Sequence, residues 1–98
     1  MDKFAVIGKL RAHESELKAA GITRLSLFGS LARGDTHAQS DVDLLAEFDA
    51  SKAFSLLDMV DMENRLADIL GVPVDLAPAK SLKDDIRERA IRESVLAF

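Results

Sequence analysis

Gly29-Ser30-Leu31-Ala32-Arg33-Gly34-Asp35, then Ser40-Asp41-Val42-Asp43-Leu44-Leu45, is the stretch on which the reading turns. Just before it, Arg24 to Phe28 carries Leu25 and Leu27 in alternation and reads as a strand. Gly29-Ser30 breaks that strand. The polar run from Arg33 to Ser40 reads as a loop. Asp41 to Phe48 reads as a second strand, and Val42, Leu44, Leu45 and Ala46 mark it for burial. The loop is too short for a helical crossover, so these two strands are expected to run antiparallel.

The surrounding elements follow from periodicity. Asp2 to Ala20 reads as a helix with Phe4, Ile7, Leu10 and Leu17 near one face and Gly21 as its C-terminal cap. Ser55 and Asp58 have capping-box spacing ahead of Met59, Met62, Leu66, Ile69 and Leu70, which recur at helical intervals. Gly71 and Pro73 stop that helix, and Val72 to Ala77 reads as a third strand. Ser81 with Asp84 is a second capping-box pattern. It opens a helix expected to turn Leu82, Ile86, Ala90 and Val95 inward and to end near Phe98. The second and third strands flank a helix, which predicts parallel neighbours joined by a right-handed crossover. The expected fold is a mixed α/β domain over residues 1–98, with a small mixed three-stranded sheet covered by about four helices.

Composition narrows the function. The chain of 98 residues is 48% hydrophobic and 31% charged, the balance of a folded globular domain. It has no cysteine, which removes disulfides, zinc–thiolate centres and a thiol nucleophile. His13 and His37 are the only histidines, too few for a multi-histidine metal site. No apolar run approaches the roughly 18 residues of a membrane span, and Met1-Asp2-Lys3-Phe4 lacks a signal-peptide pattern, so a cytoplasmic protein is expected. The net charge of −4 argues against nucleic acid as the direct partner.

The chemistry-bearing residues are aspartates. Asp41 and Asp43, two apart on a strand, point to one face. Paired carboxylates entering a buried strand repel and are costly without a compensating partner. Magnesium suits them, because it takes oxygen ligands and completes its shell with phosphate and water. Asp75, in Val74-Asp75-Leu76, joins the same face if its strand lies beside the second. There it could ligate a metal or receive the proton of an attacking hydroxyl. The alternatives are ordinary turn chemistry for Ser40-Asp41 and a solvent-facing position for Asp75. Glycine at Gly29 lets backbone approach a ligand, and Ser30 adds a hydroxyl and an N–H able to hold phosphate. Arg33 reads either as a phosphate partner or as a solvated loop cation.

Taken together, Gly29-Ser30-x-Ala32-Arg33-Gly34, the spacer, Ser40-Asp41-x-Asp43-Leu44-Leu45 and the later Asp75 resemble the signature of the polymerase-β-like nucleotidyltransferase superfamily. The resemblance runs through nearly the whole chain. Size and the Ala32-Arg33-Gly34 continuation resemble the minimal nucleotidyltransferase (MNT) antitoxins of HEPN/MNT toxin–antitoxin pairs. That resemblance implies ATP as donor, two magnesium ions, and transfer of AMP to a tyrosine of a HEPN ribonuclease toxin. It also implies that Gly29 and Ser30 hold the donor's phosphates, with Arg33 nearby. Asp41, Asp43 and Asp75 hold the metals, and Asp75 acts as or positions the base. No acceptor-binding domain is evident in the chain, so the acceptor is expected to arrive on a separate macromolecule. Two other functions fit less of the pattern: an antitoxin that neutralises by contact alone, and nucleotidyl transfer to RNA or a small-molecule hydroxyl.

Overall fold

A computed structural model describes residues 2–32, 34, 42–51 and 55–98. Helices α1 (Lys3–Ala12) and α2 (Glu14–Ala19) lead into strand β1 (Ile22–Phe28) and the single helical turn α3 (Gly29–Ala32). Strand β2 (Val42–Phe48), helix α4 (Leu56–Leu70) and strand β3 (Val74–Pro78) follow. A 3₁₀ turn (Ala79–Ser81), helix α5 (Asp84–Glu93) and strand β4 (Val95–Leu96) complete the order. The strands form one sheet in the order β3-β2-β1-β4.

Both expected strand relations are present. β1 runs antiparallel to β2, with Leu25 opposite Ala46, Leu27 opposite Leu44 and Phe28 opposite Asp43. β2 runs parallel to β3, with Leu44 opposite Leu76 and Asp43 opposite Asp75. Strand alternation then sorts the residues into two faces. Leu25, Leu27, Val42, Leu44, Ala46 and Leu76 lie on one face, all buried, and join a core with Val6, Leu10, Leu17, Met62, Leu66 and Leu70 from the helices. Asp75, Asp43 and Phe28 form a row on the other face, with Leu45 and Ser26 and then Glu47 and Arg24 behind them. Helices α1, α2 and α4 supply the core against the first face, while α5 lies over part of the second, where Ser26 and Leu45 are also buried, so the aspartate row sits at one end of that second face.

Leu44 sits in the second strand of that sheet and is fully buried. Leu44→Ala should cost about 2–5 kcal/mol, the usual range for a leucine deleted from a packed core. The urea unfolding midpoint of the variant measures it.

α4 matches its pattern closely. Met62, Leu66 and Leu70 are buried, with Met59 and Ile69 packed against the core. The Ser55 hydroxyl accepts the Asp58 N–H, and the Asp58 carboxylate accepts the Ser55 N–H at 2.8 Å, closing the expected capping box. Gly71 ends the helix in the left-handed conformation at φ 75°. The Ser55 backbone N–H, then its hydroxyl, hold the Asp58 carboxyl below its ordinary value of 3.8. A lowered carboxyl contributes stability above its ordinary value and loses it as pH falls through the lowered one. Asp58→Asn should therefore flatten the thermal-unfolding profile of α4 in that acidic window and leave the neutral profile's shape unchanged. Circular dichroism melts across pH report it.

Several expectations are corrected. Among the described residues the sheet has four strands, not three, because α5 stops at Glu93 and Ser94 adopts extended angles (φ −82°, ψ 159°). β-branched Val95 then pairs with Leu27 instead of continuing the helix. No residue of α5 is buried and Ile86 is exposed, so of the expected inward set Leu82 and Ala90 are only half-buried, while Val95 packs against the core from β4. The second capping box does not form. Ser81 Oγ donates to the Pro78 carbonyl at 2.8 Å, and α5 begins after Lys83 without a side-chain cap.

The N-terminal helix is broken at His13 (φ −109°, ψ 16°). Its backbone N–H donates to the Leu10 carbonyl, and its ring Nδ1 lies 3.0 Å from the Lys9 carbonyl that a continuous helix would use. Phe4 is exposed, and Val6 takes the buried place. Gly29-Ser30 ends β1 as expected, and Gly29 opens the helical turn α3. Among the described residues no helix is long and apolar enough to cross a membrane.

Candidate active site

The site grows from the end of β1. Phe28 is in register with Asp43, so the chain that follows Phe28 turns directly beside that aspartate. Gly29 makes the turn at φ 78°, a left-handed conformation that glycine adopts without steric cost. Absence of a side chain matters here as much as the angle. A Cβ on Gly29 would overlap Asp43 Oδ2 and lie 3.1 Å from its Cγ. The half-buried Asp43 carboxylate thus occupies the space a side chain at position 29 would fill.

Asp75 reaches the same place from the other side. It is the direct register partner of Asp43 on the adjacent parallel strand, so both side chains leave the sheet on one face. Neighbouring strands are about 4.8 Å apart. Like charges at that spacing oppose each other unless something positive intervenes. Asp75 is exposed, and Asp43 is half-buried. An all-oxygen pair of this kind, open to solvent on one side, fits a hard divalent cation that keeps water and phosphate in its shell.

The expected set divides as follows. Gly29, Asp43 and Asp75 are brought together. Ser30 lies in α3, one residue from Gly29, and its side chain falls outside the described residues. Asp41 and Arg33 also lie outside them, as does most of the expected polar loop. Among the described residues no group of three or more histidine, aspartate or glutamate side chains forms a metal cluster. The described part of the site is thus the Asp43–Asp75 pair.

Two features carry no sequence signal. Behind the aspartate row, a hollow on the same sheet face is lined by Arg24, Ser26, Leu45, Glu47, Ala79 and Ile91. On the outer edge of β3, the Leu76 N–H donates to Glu63 Oε1 on α4 at 3.0 Å. That bond spans thirteen residues, a separation no motif encodes.

Comparison with known proteins identifies relatives of the chain. Residues 10–97 match the family described as nucleotidyltransferase domain. The protein adenylyltransferase MntA of Thermococcus cleftensis is 39% identical over 87 residues, covering 88% of this chain and 86% of its own. A solved structure provisionally assigned as a minimal nucleotidyltransferase superposes with a TM-score of 0.82 at 34% identity, covering 97% of this chain and 95% of that one. The MNT antitoxin complex with the tri-AMPylated HEPN toxin of Shewanella oneidensis shares the fold, with a TM-score of 0.59 at 15% identity over 90% of this chain and 71% of that one. A family match over nearly the full length, joined to a relative this similar over most of both chains, decides the matter: the chain belongs to the nucleotidyltransferase-domain family and is a nucleotidyltransferase.

Proposed function

We propose that this nucleotidyltransferase is an antitoxin that moves AMP from ATP to a tyrosine hydroxyl of a HEPN ribonuclease toxin in the cytoplasm. The observation that carries the reading is the Asp43–Asp75 register pair beside a glycine that leaves room for it. The protein acceptor is supported by the relative named a protein adenylyltransferase and by the family resemblance of the Gly29-to-Asp43 stretch. The 98 residues act as a single catalytic unit, and the partner brings the acceptor to the aspartate end of that sheet face.

The reaction is an in-line displacement. The tyrosine oxygen forms a bond to the α-phosphorus, the bond from that phosphorus to the bridging oxygen breaks, and pyrophosphate leaves with its electron pair. The hydroxyl proton passes to a base, with Asp75 proposed as that base or its positioner. Asp41, Asp43 and Asp75 would hold magnesium, which when bound neutralises charge on the phosphates and on the departing oxygen. Gly29 and Ser30 would hold the donor's phosphates, with Arg33 beside them. What the chain itself supplies is position: two carboxylates fixed by a strand ladder and a turn without a side chain.

The test uses the product of the adjacent gene as acceptor. The two proteins are incubated with magnesium and ATP labelled at the α-phosphate, and intact masses are taken. The expected result is a partner carrying one or more AMP groups, with the label on tyrosine. A partner silenced in a stable complex without label would replace enzymatic transfer with neutralisation by contact. Label on added RNA and none on the partner would change the acceptor class.

A further inference from the structure

Among the described residues strand β3 is an edge strand, with a strand partner on one side of its backbone only. Its phase is fixed by one bond: the Val42 N–H donates to the Pro73 carbonyl at 3.0 Å. In a parallel ladder alternate residues face the partner strand. Pro73, Asp75 and Ala77 therefore turn their peptide groups toward β2, and Val74 and Leu76 turn theirs outward. Outward amides of an edge strand ordinarily go to water. The Leu76 N–H instead donates to Glu63 Oε1 at 3.0 Å in a part-buried position, while the Leu76 side chain is buried in the core.

That amide is not remote from the site. It belongs to the peptide plane that joins Asp75 to Leu76, so whatever fixes it fixes the backbone rotation of Asp75. One end of the plane, the Asp75 carbonyl, is turned to β2, and the other is tied to α4. A hydrogen bond to an ionised acceptor is stronger than one between neutral groups. The facing carboxylates of Asp43 and Asp75 resist being held together, so a plane anchored on one side only would let Asp75 drift outward.

We propose that Glu63 is a positioning residue for nucleotidyl transfer: by accepting the Leu76 amide it holds the Asp75 carboxylate opposite Asp43. The inference rests on the reading of Asp43 and Asp75 as the metal-holding pair. Glu63 touches neither donor nor acceptor and acts only through β3.

The test compares Glu63→Ala, Glu63→Gln and Glu63→Asp in the full chain, with Asp75→Asn alongside. Gln keeps a side-chain oxygen at the same reach, and Asp keeps the charge but is one methylene too short. For Ala and Asp the Leu76 amide should lose its protection from hydrogen exchange. Manganese added to the nucleotide-free protein should broaden the Asp43 and Asp75 amide signals only at several-fold higher concentration. The kcat for AMP transfer should fall about 10-fold or more, within the range seen when the support of a metal ligand is removed. KM for ATP at saturating magnesium should stay within about twofold, because Glu63 contacts no nucleotide. Glu63→Gln should restore kcat and the manganese midpoint. Wild-type kcat and midpoint in both the Ala and Asp variants would overturn the proposal, as would a Gln variant as impaired as Ala. The Asp75→Asn arm separates the two levels. Wild-type transfer by that variant would remove the metal-pair reading itself. Inactive Asp75→Asn beside unimpaired Glu63 variants would remove only the positioning role.

Discussion

Asp43→Asn should abolish AMP transfer, by at least about 10³-fold, and leave the protein folded. The two halves of this expectation come from one geometry. Asp43 lies on β2, between β1 and β3, with the Gly29 turn against its carboxylate and Asp75 in register across the ladder. Asn has nearly the same shape, so it fits the space beside Gly29 and disturbs no core contact. It has no charge, so it no longer makes, with Asp75, a dianionic pocket for a divalent cation. Like charges directly opposite are destabilising, so removing one of them relieves repulsion worth up to about 1 kcal/mol in the cation-free protein. The expected signature is therefore a variant that melts within a few degrees of the wild type, binds its partner and leaves it unlabelled. Magnesium should raise the melting temperature of the wild type and not of the variant. Transfer at the wild-type rate by Asp43→Asn would remove Asp43 from the chemistry.

How much of this was legible in the sequence depends on whether the cause was local. The capping box at Ser55 and Asp58, the Gly71 cap and the Met62-Leu66-Leu70 stripe are local rules, and all appear as read. Strand directions followed from connection length, and both were right. The failures have non-local causes. Val95 fits a helical stripe beside Ala90 and Ile91, and it leaves the helix because β1 offers an unpaired edge at Leu27, information that lies elsewhere in the chain. Spacing alone places Phe4 on one face with Ile7, Leu10 and Leu17, yet Val6, Ile7 and Leu10 already fill the buried face of α1. Asp75 was legible as a polar residue in an apolar strand. Its register with Asp43 was not, because spacing along a chain does not fix pairing across a ladder. The Glu63 bond to β3 is a tertiary contact between unremarkable residues and left no trace in the sequence.

Gly29→Ala should cripple transfer by about 10²-fold while Gly71→Ala leaves it unchanged, although both glycines have nearly the same backbone angle. Gly71 sits at φ 75° with nothing within 4 Å of an added Cβ, so its substitution costs only the left-handed conformation, about 1–2 kcal/mol. Gly29 sits at φ 78° and incurs that cost, and its Cβ also lands on the Asp43 carboxylate. The overlap is too severe to absorb in place. Either Asp43 rotates away from Asp75, or the end of β1 and the start of α3 shift outward. Both moves displace a proposed ligand by a distance on the order of 1 Å, which is enough for a loss of about 10²-fold in a reaction governed by position. The cause can be isolated in the Asp43→Ala background. Trimming Asp43 removes Oδ2 and Cγ and leaves only its Cβ, 3.2 Å from the added atom, a contact relieved by a few tenths of an ångström. The stability cost of Gly29→Ala should then fall toward that of Gly71→Ala, measured by urea unfolding of the four variants. If the cost is the same in both backgrounds, the glycine serves the turn and not the aspartate. If Gly29→Ala also transfers AMP at the wild-type rate, the close approach of position 29 to Asp43 has no part in the site.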